Sequence, residues 1–142
     1  YYLLIQLIGG TDNLGKNYFI QFDDKFKIIP WDMDYSFDTY FPVPMDNYTK
    51  NNAYVRLLEY ESFMKILSGR WFELREEKWT FENLANKYDE LNEEIKVARD
   101  RDLKRWQQIK KQHVSLEVFP HSGILQWWER RLRILDEHFI VS

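Results

Sequence analysis

The chain has 142 residues, a formal net charge of −3, no cysteine, 44% hydrophobic residues and 18% aromatic residues. That length suits one domain with a sizeable core, and the apolar and aromatic content excludes a disordered chain. Disulfides and thiolate metal sites are excluded, the compartment stays open, and no basic block is long enough to favour nucleic acid as a partner.

Residues 1–8, YYLLIQLI, read as a buried helix that ends at Gly9-Gly10. The run is too short to span a membrane, no basic region precedes it, and no transmembrane segment is expected in this chain. It starts without a methionine inside an apolar helical pattern, as expected of a piece of a longer protein. A loop over 9–16 follows. Residues 17–22, NYFIQF, and 26–31, FKIIPW, are strand-like, and Asp23, Asp24 and Lys25 form the polar break of a tight turn. Pro30 lacks an N–H and belongs at an edge or a strand end. Residues 35–50 hold two prolines and no helical period, so they read as loop. Asn51 or Asn52 can cap a short helix, 53–59. Glu61 or Ser62 starts another, with Phe63, Ile66, Leu67, Trp71 and Leu74 at helical spacing. Thr80 is a plausible cap for a long helix, 81–112, whose apolar positions include Leu84, Tyr88, Leu91, Ile95, Ala98, Leu103, Trp106 and Ile109. The charged face of that helix reads as a solvated surface. Pro120 to Gly123 break the chain before a last helix, 124–139, with Leu125, Trp128, Leu132, Leu135 and Phe139 facing inward. Trp106, Trp127 and Trp128 read as core residues. The fold class is mainly α with one short β-hairpin.

Two acidic patterns flank the hairpin: Asp12-x4-Asn17 in GGTDNLGKN and Asp32-x-Asp34 in IPWDMDYSF. An Asp followed five positions later by an Asn has the spacing of a protein-kinase catalytic loop, and the second pattern offers a carboxylate of the kind that holds magnesium there. A turn centred between Asp24 and Lys25 pairs residue i with 49 − i and sets Asn17 opposite Asp32. Directly opposed residues have Cα atoms about 4.5–5.5 Å apart, so both side chains reach one ion. In phosphoryl transfer Asp12 is placed to orient or deprotonate the attacking hydroxyl. Asn17 offers an amide oxygen, Asp32 a charged oxygen, and Asp34 a second carboxylate, all hard ligands suited to Mg²⁺. Lys16 can touch a phosphate or face solvent. Taken singly, the first pattern is better explained by a capping or turn Asp at the end of helix 1–8, and the second is as well explained by a cap, a calcium loop or surface charge. His113, His121 and His138 lack ligand spacing. No Gly-rich phosphate loop and no serine nucleophile elbow occurs in the chain.

With GGTDNLGKNYFIQF, FKIIPWDMDYSF and the closing LQWWERRLRILDEHF considered together, the chain resembles the CotH kinase family, atypical protein kinases named after a spore coat protein H. The resemblance covers most of the chain. It implies that Asp12 is the catalytic-loop aspartate, Asn17 the metal-binding asparagine of that loop and Asp32 the magnesium aspartate, with Asp34 at the second acidic position. It further implies a protein-kinase-like C-terminal lobe over 1–142, with 1–50 holding the catalytic loop, hairpin and metal segment and 51–142 the helical part. Mg²⁺ (or Mn²⁺) and ATP would be cofactors, and hydroxyls of a protein substrate the phosphate acceptors. An N-terminal lobe of the same protein would carry the ATP-covering loop and phosphate-binding lysine, so the isolated piece should bind nucleotide poorly. Exported, cell-envelope or spore-coat locations belong to the family. The chain departs from the family in having Asp38 after Phe37 where Gly is common, which bears on loop geometry and activity. Beside the kinase stand a pseudokinase or structural coat or envelope module, and a helical adaptor with an incidental acidic loop.

Overall fold

The structure, a computed structural model, describes residues 1–10, 12–37, 52–106 and 121–140. In chain order the elements are α1 (Tyr2–Ile8), β1 (Tyr18–Phe22), β2 (Phe26–Pro30), α2 (Asn52–Leu58), α3 (Glu61–Glu77), α4 (Phe81–Arg105) and α5 (His121–His138). The fold is mainly α with one two-stranded antiparallel hairpin, β1–β2. No helix among the described residues is long and apolar enough to cross a membrane.

α1 is apolar on most sides because it is enclosed: Tyr2, Leu3, Ile5, Gln6 and Leu7 are all buried. It stops at Gly9, which takes the left-handed conformation (φ 64°) that a residue without Cβ adopts freely. The Gly9 N–H donates to the Gln6 carbonyl at 3.3 Å and the Gly10 N–H to the Ile5 carbonyl at 3.1 Å. These are the two bonds of a Schellman ending, and they aim the chain sharply into the loop that follows.

The main core joins α1 (Leu3, Ile5, Leu7) and Leu14 to α3 (Leu67, Trp71, Leu74) and α5 (Leu132, Leu135, Phe139). A smaller cluster forms at the other end of α5, where Ile124, Trp127 and Trp128 meet Phe37, Leu84, Tyr88 and Leu125. α5 therefore belongs to both clusters. Each fully buried side chain of this size contributes about 1.5–3 kcal/mol relative to exposure. Polar bonds fix the angle of α3 against α5. Arg75 grips Asp136 with two nitrogens, Nε on Oδ1 at 2.9 Å and Nη2 on Oδ2 at 3.1 Å. Trp71 Nε1 donates to the same Oδ1 at 2.8 Å, and Arg75 Nη1 donates to the Trp79 carbonyl. A forked guanidinium on a carboxylate fixes direction as well as distance.

The period of α3 places Leu67, Trp71 and Leu74 inside, but Ile66 is 68% exposed, because it lies one position off the buried stripe. Thr80 caps α4 by accepting from the Asn83 N–H at 3.0 Å. Among the described residues, α4 packs on the core clusters through its first turns, by Leu84 and Tyr88. Leu91 and Ile95 are exposed, and so is Trp106, which was expected in the core and instead lies beneath the Arg105 guanidinium, 5.2 Å from its ring centroid. Apolar spacing located their helix, but spacing does not show that the helix runs past the body it packs on. α5 begins at His121, three residues before the expected start, so Ser122 and Gly123 lie within it. The expected helix over 107–112, Ile109 and His113, and the loop over 38–50 with Asp38, lie outside the described residues.

Candidate functional site

Site geometry starts from the hairpin register, and here the expected pairing is corrected. Tyr18 pairs with Pro30, Ile20 with Ile28 and Phe22 with Phe26. Paired numbers sum to 48, because Asp23, Asp24 and Lys25 form a three-residue loop centred on Asp24 rather than a turn centred between Asp24 and Lys25. Asn17 therefore lies opposite Trp31, confirmed by the Trp31 N–H donating to the Asn17 carbonyl at 3.0 Å. Asp32 is one residue past that pair, not opposite Asn17.

A left-handed backbone at both positions ends the ladder. Asn17 (φ 59°) and Asp32 (φ 54°) both have positive φ. Short polar side chains tolerate this conformation better than most, although it still costs roughly 1–2 kcal/mol per residue. The two strands turn away from regular pairing one position apart, at the base of the hairpin.

Each segment is tied to the helices. On the first, the Asn13 N–H donates to the Gly10 carbonyl and the Lys16 N–H to the Asp12 carbonyl, both at 3.2 Å, which curls residues 12–16 into consecutive turns. Leu14 is fully buried and anchors that curl in the main core. On the second, Met33 packs against the main core between Asp32 and Asp34, which are both exposed. Ser36 Oγ donates to the Met33 carbonyl at 2.6 Å and closes the turn. Phe37 then takes a positive φ of 60°, rare for a bulky residue. Its N–H donates to the Ile8 carbonyl at 2.8 Å, and its ring stands edge-on between Trp127 and Trp128, at 5.3 and 5.5 Å. Contacts with α1 and α5 over-determine that conformation.

Asp12 is ion-paired with Lys16 at 2.9 Å. The side chains are 31% and 66% exposed, so solvent screens the pair and it opens readily. The Lys16 ammonium is pushed up from its ordinary pKa, first by the hydrogen bond to Asp12, then by the Asp12 charge, with smaller contributions from Tyr35 and Asp32. Lys16 thus lies in the field of both acidic segments. Asn17 is half-buried. The Asn17 amide oxygen and the Asp32 and Asp34 carboxylates are the hard oxygen donors that Mg²⁺ takes, in sets that waters and phosphate oxygens complete. The donor chemistry therefore fits a divalent ion. Among the described residues no three Asp, Glu or His side chains group closely enough to hold a metal by themselves. A groove of about 330 Å³ between α3 and α5, lined by Phe72, Arg75, Phe81, Leu132, Asp136 and Ile140 among others, includes none of the acidic residues at the hairpin.

Two buried residues that sequence reasoning passed over hold this region. Asn13, with no exposed surface, donates from Nδ2 to the Trp31 carbonyl at 2.8 Å and the Asn17 carbonyl at 3.3 Å, while its own carbonyl accepts from the Tyr1 hydroxyl. Arg131, 2% exposed, donates from Nε to the Gln6 carbonyl at 2.8 Å and from Nη2 to Gln6 Oε1 at 3.4 Å. It steadies the last turn of α1, from which the Asp12 loop departs. In sequence Arg131 is one basic residue in ERRLR and reads as surface. The only signal for its burial is that it falls on the stripe of Trp127, Trp128 and Leu135.

No curated protein matches the chain, and no solved structure does. A family model described as CotH kinase protein matches residues 1–138, nearly the whole chain. The chain therefore belongs to the CotH kinase family.

Proposed function

We propose that this chain carries the catalytic loop and metal-binding segment of a protein kinase that transfers the γ-phosphate of ATP to Ser or Thr hydroxyls of a protein. Membership of the CotH kinase family gives the general class, a kinase-like function with a nucleotide and a divalent metal. The observation that carries the finer reading is the junction at the base of the hairpin. There the Trp31 N–H donates to the Asn17 carbonyl at 3.0 Å and holds the Asp12–Asn17 loop beside the Asp32–Asp34 segment.

The roles follow from residue chemistry. Asp12 accepts the proton of the acceptor hydroxyl as its oxygen bonds to the γ-phosphorus and the bond from that phosphorus to the β–γ bridging oxygen breaks, releasing ADP. Its weak pair with Lys16 opens for this, and Lys16 is then free to meet phosphate charge. Asn17 and Asp32 would hold Mg²⁺, with Asp34 assisting, and the ion would offset charge on the phosphate oxygens. No Gly-rich phosphate loop occurs in these residues, so the reading requires another lobe of the protein to cover the nucleotide. Removing a positioned base costs about 10²–10⁴ in rate. In the full-length protein, Asp12→Asn should lower kcat by that order and leave the melting temperature unchanged. Unchanged kcat would remove Asp12 from the chemistry, whereas no transfer by the wild type would favour a fold kept without catalysis.

A further inference from the structure

Asn13 is a polar side chain with no exposed surface, and its Oδ1 has no hydrogen-bond partner among the described residues. A buried amide half satisfied in this way is unfavourable for stability alone, and an apolar residue of similar volume would avoid the unpaired oxygen. What the amide does instead is specific. Its Nδ2 bonds the carbonyl of Trp31, which belongs to the peptide plane leading into Asp32, and the carbonyl of Asn17. The angle φ of Asp32 is set by how that peptide plane is turned about the N–Cα bond. Holding the Trp31 carbonyl therefore holds Asp32 left-handed, and holding the Asn17 carbonyl fixes the plane that leaves the other left-handed residue.

We propose that Asn13 is a positioning residue, a buried amide clip that sets Asn17 and Asp32 at the spacing one divalent ion requires; this rests on the metal-site reading above. The clip has its own support. A Cβ on Gly10 would stand 3.1 Å from Asn13 Oδ1 and 3.5 Å from Ile5 Cγ2, so glycine there leaves room for the amide oxygen. Gly10→Ala then disturbs the same clip without touching its donor, and is expected to repeat the Asn13 effect more weakly.

The test uses the full-length protein with Asn13→Leu, Asn13→Asp, Gly10→Ala and, as a stability control, Leu135→Ala. Backbone conformation at Asn17 and Asp32 is read by NMR from three-bond couplings and carbon shifts. Metal binding is read by Mn²⁺ titration, and transfer by the Mg²⁺ concentration for half-maximal rate. Groups that orient metal ligands typically change affinity 10–100-fold. Both Asn13 variants should move Asp32 out of the left-handed region, weaken Mn²⁺ binding at least about tenfold and raise the Mg²⁺ requirement equally, with the acceptor KM unchanged. Leu135→Ala should lower the melting temperature and leave Mn²⁺ affinity alone. If Asn13→Leu and Gly10→Ala keep the wild-type backbone angles, or lose stability with wild-type Mn²⁺ affinity, the clip has no role in the site. A wild type that neither binds Mn²⁺ nor transfers phosphate overturns the proposed function and, with it, this role for Asn13, whatever the backbone angles show.

Discussion

Asn17, Asp32 and Phe37 all have positive φ, and they mark where the acidic segments bend off regular structure. Asn and Asp are common choices for such positions, so their presence beside strands already suggests a bend. Phe37 is not, and no local pattern identifies it; its conformation depends on two tryptophans some ninety positions along the chain. Asn13 was hidden for a similar reason, since its partners belong to both strand ends and a single Asn in a loop gives no sign of burial. A second consequence at this scale concerns phenols. Burial pushes the Tyr1 hydroxyl up to about 12, with the neighbouring Tyr54 and Tyr18 adding to the rise. Tyr54 is raised too, first by burial. A group whose folded pKa exceeds its unfolded value of 10.0 stabilises fully below that value and loses its contribution as pH climbs through the folded one. Stability should therefore fall between about pH 10 and pH 12, and Tyr1→Phe should flatten that fall in denaturant titrations across the range. An equally steep fall in Tyr1→Phe would assign it elsewhere.

Among elements, the helices were readable because a 3.6-residue period survives any tertiary detail, and capping by Thr80 is local chemistry. Register was not readable to one residue. A two-residue and a three-residue loop both suit Asp23, Asp24 and Lys25, yet they differ by one in pairing, and that one step decides whether Asp32 faces Asn17. Burial was readable only where a partner exists. Leu135 has no exposed surface and belongs to the main core, whereas Val97 on α4 is 62% exposed. Leu135→Ala should cost about 2–5 kcal/mol in urea unfolding. Val97→Ala should stay within about 0.5 kcal/mol. A large loss from Val97→Ala would show that the far part of α4 is covered in solution.

Across the whole molecule, the helices support a proposed site that they do not supply. α1 launches the Asp12 loop and receives Phe37 through Ile8; α5 holds α1 through Arg131 and Phe37 through Trp127 and Trp128. A two-stranded hairpin by itself is marginal in water, so its base depends on this frame. Family membership was legible in GGTDNLGKN and IPWDMDYSF, the segments that carry the proposed site residues, and the match extends over residues 1–138. The frame was less legible because its parts are ordinary buried residues whose partners lie far away in sequence. Phosphoryl transfer as proposed requires Asp32 to hold the metal. Its most direct test is γ-phosphate incorporation into protein by the full-length molecule with Mg²⁺, wild type against Asp32→Ala. Asp32→Ala should lose about a hundredfold or more, the scale of removing a charge-stabilising contact from a reacting centre. Equal incorporation by both proteins would contradict it.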